Sequence, residues 1–188
     1  LALFNYGTTT ANMLLRFLGP DNDNVSSVVT LAPPTTFTWF SPRIAGAPQT
    51  FSTLIESDQP ILADRRMEWG VTGNGLASGT HLEAAITEPS TVWYLAEGAT
   101  HGAFDLFYLL QNPNDVDTTA TVEYLRPAPL PPVVKTYPVA ARSRRTIWVD
   151  VEGAELEATD VSAKITADET LVVERAMYFS TPTQSFAA

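Results

Sequence analysis

The chain spells one pattern twice. At a shift of 107, residues 2–20 (ALFNYGTTTANMLLRFLGP) fall on 109–127 (LLQNPNDVDTTATVEYLRP), so that Asn5, Phe17, Leu18 and Pro20 meet Asn112, Tyr124, Leu125 and Pro127. At a shift of 108, Leu31, Ala32 and Thr38 meet Val139, Ala140 and Thr146. At 110, FSTLIESDQPILADRRMEW (51–69) falls on VSAKITADETLVVERAMYF (161–179), aligning Ser52, Ile55, Asp58, Arg65 and Met67 with Ser162, Ile165, Asp168, Arg175 and Met177. Chance similarity does not keep three segments in one order with a drift of three residues. The chain is therefore expected to hold two copies of one small fold, each burying its own interior.

Inside each copy the pattern is that of strands. Runs such as ATVEYL, TIWVDV, DVSAKIT and LVVERAMYF are short, rich in β-branched and aromatic residues, and separated by turn formers. The turn formers are GPDNDN, the prolines at 127, 129, 131 and 132, and SDQP with its counterpart ADET. The 24 threonines agree, because a β-branched side chain loses more freedom in a helix than in a sheet. Val161, Ala163 and Ile165 share one face of a strand, and their counterparts Phe51, Thr53 and Ile55 keep that alternation. The expected fold class is all-β: two tandem immunoglobulin-like antiparallel β-sandwiches. Seven strands are expected in the second copy and about six in the first. Only the loop 150–160 offers a short helical turn.

The organisation expected is a first repeat over 1–70, a glycine-rich linker over 71–89 and a second repeat over 90–188. Gly70, Gly73, Gly75 and Gly79 predict a flexible joint, although Leu82–Ile86 can instead dock as an extra strand. The copies are unequal. STVWYLAEGATHGAFDLFYL (90–109) opens the second with an apolar, aromatic run, and nothing before Leu1 matches it. The first repeat is thus expected to lack its opening strand, either because the chain is part of a longer array or because a neighbouring chain donates that strand.

The string TVWYLAEGATHGAFDLFYLLQNPN, then TVEYLRP, VAARSRRTIWVDV and DVSAKITADETLVVERAMYF, resembles a β-sandwich repeat of large secreted or surface proteins of bacteria. That family carries WYFAEG near its start, LLxNPN after it and VERxMYF near its end. The resemblance covers nearly all of the second copy; in the first, the closing string has become ADRRMEW and the linker keeps a Gly-x-His trace in GTHLEAA. The family has no defined activity. The resemblance implies an extracellular, non-enzymatic building block, a spacer, stalk or adhesive array, whose partners are neighbouring modules of the same or an identical chain.

Charge narrows the partners further. Eleven basic against twenty-one acidic residues leave a formal charge of −10, which disfavours nucleic acid and anionic lipid. No apolar run reaches the ~18–20 residues of a spanning helix, so no membrane insertion is expected. With no cysteine among the 188 residues, disulfides, thiolate zinc sites and cysteine nucleophiles are excluded. No G-x-S-x-G turn and no phosphate loop is present, so no catalytic residue and no cofactor is expected.

Several polar groups invite a binding reading beside a structural one. His101 with Asp105 and Glu97 could form a mixed metal site, against a surface histidine in a glycine-flanked turn. Calcium could sit among Asp150, Glu152, Glu155, Glu157 and Asp160, or at Asp21 with Asp23, or at Asp115 with Asp117. None has the spacing of a calcium loop, and solvation of loop acids is the competing reading. The equivalent loop of the first copy, SPRIAGAPQT, carries Arg43 and no acid. Opposite charges at equivalent loops would favour head-to-tail contact between modules. Trp39, Trp69, Trp93 and Trp148 could stack on a surface glycan, or fill the cores. These readings keep open a second class, a carbohydrate- or calcium-dependent binding module, and a third, a filament subunit assembled by strand donation.

The repeated arginine is the sharpest site expectation. Ile61, Ala63, Arg65 and Met67 project to one side, as do Leu171, Val173, Arg175 and Met177. An unpaired guanidinium on an apolar side is costly. Arg175 is expected to pair with Glu97 of the AEG turn, or failing that with backbone carbonyls, and Arg65 to repeat the role as part of a structural ion pair that fixes strand alignment.

Overall fold

The structure, a computed structural model, describes residues 1–21, 23–39, 46–69, 79–181 and 185–187. It divides into two compact units, Leu1–Thr87 and Glu88–Ala188. The described residues are all-β: every strand pairing is antiparallel, and the helical content is one 3-10 turn at Val149–Val151.

The first unit holds β1 (Ala2–Asn5), β2 (Ala11–Leu18), β3 (Val25–Leu31), β4 (Thr35–Thr38), β5 (Ser52–Ser57), β6 (Leu62–Trp69) and β7 (Gly79–Ala84). They form two sheets, β4-β1-β6-β7 and β3-β2-β5. The second unit holds β8 (Ser90–Leu95), β9 (Phe104–Asn112), β10 (Thr118–Leu125), β11 (Val133–Val139), β12 (Ser143–Trp148), β13 (Ser162–Ser180) and β14 (Ser185–Ala187). Here the order is β11-β10-β13-β9-β12, with β8 and β14 also paired to β13.

Most strands of the two units correspond. β2 at a shift of 107 gives the bounds of β10, and β3 at 108 gives those of β11. Burial follows the same register: Ala11, Met13, Leu15 and Phe17 point inward along β2, as Thr118, Ala120, Val122 and Tyr124 do along β10. A period of two with one dry face is what a sheet needs to cover a core, and each large apolar side chain so buried contributes about 1.5–3 kcal/mol. Side chains of several strands meet in each core. Leu3 of β1 joins Met13, Leu15 and Phe17 of β2 in the first unit; Leu106 and Tyr108 of β9 join Val122, Tyr124 and Ile165 in the second.

A buried asparagine closes the equivalent strand in both units. Asn5 Nδ2 donates to the carbonyls of Thr9 and Leu31, at 2.8 Å each, and Asn5 Oδ1 accepts the Gly7 N–H. Asn112 Nδ2 donates to the carbonyls of Val116, Val139 and Ala140, and Asn112 Oδ1 accepts the Asn114 N–H. Both asparagines are 0% exposed.

Two differences separate the copies. In the first, Ser57 and Leu62 are the ends of separate strands, and Pro60 stands between them. In the second, the matching stretch runs unbroken through β13, with a shift of register between Thr166 and Leu171. The residue at the place of Pro60 is Thr170, which keeps its N–H and an unrestricted φ, so the strand continues. The second difference is β8, which has no counterpart among the described residues of the first unit.

The stretch 71–89 is only partly a connection. Residues 79–84 form β7 and pair along β6 from Asp64–Ala84 to Trp69–Gly79, and the units divide between Thr87 and Glu88. Gly70, Gly73 and Gly75 lie outside the described residues, as does Arg43.

Candidate functional site

The second unit gathers its unusual residues at the corner made by the AEG turn. Residues 96–101 are laced to 156–161: Thr100 Oγ1 donates to the Leu156 carbonyl at 2.6 Å, the Thr100 N–H to Thr159, and the Val161 N–H to the Gly98 carbonyl. The glycine is required there, because a Cβ on Gly98 would stand 2.7 Å from Leu106 Cδ2 and 3.0 Å from the Val161 carbonyl oxygen. Beside the turn lies an open cleft of about 540 Å³, lined by Glu97, His101, Phe104, Arg126, Asp160 and Met177 among others. His101 Nε2 sits 2.9 Å from Asp160 Oδ1, and its ring meets Phe104 edge-on.

Arg175 reaches this corner and takes the second of its two expected kinds of partner, a backbone carbonyl. Its Nη1 donates to the backbone carbonyl of Glu97, while the Glu97 side chain is exposed. The carbonyl lies nearer because the AEG turn directs Glu97 outward. Arg175 also stands opposite Tyr108 on β9. Burial pushes the Tyr108 phenol well above its ordinary range, the neighbouring Tyr124 adds to that, and Arg175 offsets part of it.

Arg65 is half-buried and its Nη2 lies 2.5 Å from Glu83 Oε2, directly across on β7. Glu83 belongs to the stretch that composition assigns to a linker, so nothing in the sequence pointed to it as the partner. The two repeated arginines therefore hold different neighbours: one a carboxylate on the next strand, the other a turn carbonyl.

The acidic residues named for calcium mostly accept hydrogen bonds from the protein itself. Asp115 Oδ1 takes Arg142 Nε at 2.7 Å and Asp117 Oδ1 takes the Ala141 N–H at 2.8 Å. Asp150 Oδ2 takes the Leu106 N–H; burial lifts the Asp150 carboxyl above its usual value, against that bond. Glu152 Oε2 takes the Tyr137 hydroxyl at 2.7 Å and lies 3.3 Å from Lys135 Nζ. Asp21 and Asp23 are exposed in the turn after β2. Among the described residues no three of His, Cys, Asp and Glu come together as a metal set, the His101, Asp105 and Glu97 combination included.

Glu152 instead ends a chain of hydroxyls that begins in the core. Tyr137 donates to Glu152, so the 2.7 Å bond between the Tyr124 and Tyr137 hydroxyls has Tyr124 as donor. Burial raises both phenols far above their ordinary value. Tyr108 stacks on Tyr124 with ring centroids 5.9 Å apart, yet its buried hydroxyl finds no partner among the described residues.

The tryptophans divide between core and surface. Trp39 meets Phe17 and Phe37 edge-on in the first core. Trp93 packs on the second core and donates Nε1 to the carbonyls of Ser90 and Leu171. Trp148 is 43% exposed and stacks on Phe107, which Tyr178 meets edge-on. The side chain of Trp69 lies outside the described residues.

No family model matches the chain, and no curated protein matches it. Among solved structures it is similar to protein 1070 of Thermotoga maritima, with a TM-score of 0.50 and 11% identity over 54% of this chain and 91% of that one. It is also similar to the Anabaena sensory rhodopsin transducer, with a TM-score of 0.41 and 19% identity over 48% of this chain and 98% of that one. At these identities the likeness is one of fold alone.

Proposed function

We propose that the chain is a pair of tandem immunoglobulin-like β-sandwich repeats with a structural role, a spacer or stalk of a bacterial surface protein. The observation that carries this reading is the repetition itself. β2 and β3 of the first unit match β10 and β11 of the second, and both units keep the same inward positions and the same buried asparagine, although most of their surface residues differ. Sequence drift that spares the interior and frees the outside fits a module whose use is its shape. The polar groups of the AEG corner fit the same reading, since Arg175, Thr100 and Gly98 hold one loop against another.

The test is location and ligand together. Antibody raised against residues 1–188 should label intact cells that make the full-length protein, and labelling only after permeabilisation would end the surface reading. A glycan array and melting curves with and without calcium address the binding-module reading. No bound glycan and unchanged curves are expected; a saturable glycan signal centred on Trp148 would replace the structural role.

A further inference from the structure

One corner of the second unit collects aromatic rings and carboxylates on the outward face of its sheet. Asp105 and Phe107 lie two residues apart on β9 and share that face, while Leu106 and Tyr108 turn inward and are 0% exposed. Trp148 of β12 stands opposite Phe107, and Tyr178 of β13 stands opposite Asp105. The Trp148 and Phe107 rings stack at 5.7 Å with 23° between their planes, and Tyr178 meets Phe107 edge-on at 5.7 Å. Phe107 thus takes one face of the Trp148 indole. Trp148 is nevertheless 43% exposed, so its other face is open among the described residues.

Two carboxylates border these rings. Asp150 is fixed beside Asp105, because its Oδ2 accepts the N–H of the next residue, Leu106, at 2.9 Å. Burial lifts the Asp150 carboxyl above its usual value and the like charge of Asp105 adds to that, against bonds from the Leu106 N–H and the Trp148 side chain. A cation placed here would offset the repulsion. The shared fold does not require this set of residues. In the first copy Glu68 holds the place of Tyr178, and the loop matching Asp150, SPRIAGAPQT, carries no acid. Exposed rings gathered with two like charges, at positions the fold leaves free to vary, mark a place of contact.

Chemistry selects the ligand. An indole face attracts cations more strongly than the other aromatic rings do. A guanidinium is flat enough to lie on it while its N–H groups reach carboxylate oxygens, whereas an ammonium is a compact, strongly hydrated point charge. A neutral sugar would use the ring but leave Asp105 and Asp150 uncompensated. We infer that this corner binds an arginine side chain carried by a peptide partner, the guanidinium lying on the open face of Trp148 and turned to Asp105 and Asp150. The site rests on the second unit alone and does not depend on the structural role proposed above.

The test is a titration of the 188-residue chain with N-acetylarginine amide, read by NMR at the Trp148 indole N–H and the backbone N–H groups of β9. A saturable shift centred on Trp148 is expected, with a dissociation constant on the order of millimolar, as a single exposed contact of this kind allows. N-acetylcitrulline amide, alike in shape but uncharged, should bind about fivefold more weakly or less tightly still, and Nα-acetyllysine amide should also bind more weakly. Asp105→Asn combined with Asp150→Asn keeps an acceptor for the Leu106 N–H and should weaken arginine binding about fivefold, as should Trp148→Ala, with the signals of β10 unmoved in either variant. The proposal is overturned by the absence of a saturable shift at Trp148, by citrulline or lysine binding as tightly as arginine, or by shifts spread evenly over the acidic surface. A Trp148 shift that grows with protein concentration without any probe would also overturn it, assigning the corner to a second copy of this chain.

Discussion

Asn5 and Asn112 sit at equivalent strand ends, both fully buried, and each side chain joins the carbonyl four residues on, a carbonyl across the fold and the N–H two residues on. An asparagine suits the place because one side chain supplies two donors and an acceptor. Asn112→Asp keeps the volume and replaces the donors with oxygen facing carbonyls. It should lower unfolding free energy by about 3 kcal/mol in urea titration, since each buried carbonyl left without a donor costs roughly 1–3 kcal/mol. Asn5→Asp should do the same to the first unit. A loss under about 1 kcal/mol at either position would show that water replaces these bonds.

Gly98→Ala should destabilise the second unit by about 1–3 kcal/mol. The added methyl would meet Leu106 at 2.7 Å and the Val161 carbonyl at 3.0 Å, and the backbone contact cannot yield as a side chain would. Gly102→Ala is a useful contrast: nothing lies within 4 Å, and its φ of +69° alone carries the penalty. Thermal melting separates the two, with Gly98→Ala expected to melt lower.

The buried phenols predict the response to base. Tyr108, Tyr124 and Tyr137 keep their protons in the folded chain well above the ordinary value of 10.0, chiefly because of burial. Unfolded, the same groups release protons near that value. Their contribution to stability is therefore fully present below about pH 10 and is lost as pH rises further. Ultraviolet titration should find these three phenols silent until the second unit unfolds. Tyr108→Phe should be neutral or stabilising by up to about 1 kcal/mol, because the hydroxyl it removes is buried without a partner. Tyr124→Phe should cost about 1 kcal/mol, because it removes the donor to Tyr137.

Arg175→Leu should cost more than Arg16→Leu. Both bonds lie at the surface, but Arg175 ties β13 to a turn 78 residues away and stands opposite the buried Tyr108, whereas Arg16 pairs with Glu56 on the adjacent strand, 35% and 48% exposed. The exposed pair should be worth under about 1 kcal/mol and fade with salt. Equal melting temperatures for the two variants would mean that the link to the AEG turn does not steady the fold.

Arg142 is held at a φ of +49°, a region an L side chain enters at a cost, and its side chain pairs with Asp115. Arg142→Gly should melt no lower than the parent, since the relief of strain of about 1 kcal/mol offsets the lost surface pair. Arg142→Ala keeps the strain, loses the pair and should melt lower.

The sequence carried the strands well because duplication doubled the signal. Met13, Leu15 and Phe17 over Ala120, Val122 and Tyr124 agree in register, and that agreement fixes which face is dry. Contacts between side-chain tips were another matter. Alternation tells that Tyr124 and Tyr137 face inward, but not that their hydroxyls meet and pass a bond to Glu152, which by composition belongs with loop acids. Glu83 escaped notice because its segment follows a glycine-rich stretch and repeats nothing closely. Arg175 was legible as an inward cation, while the choice of the Glu97 carbonyl over its carboxylate depends on how the AEG turn directs that side chain.

β13 is one continuous peptide that pairs with β8 and β10 along one half and with β9 and β14 along the other. A pull along the chain therefore loads both halves through a single rod, and neither can peel away before the other is sheared. The first unit, broken at Pro60, has a fuse where the second has a beam. There β5 pairs with β2, and β6 with β1 and β7, so among the described strands each sheet of the first unit is carried by a segment of its own.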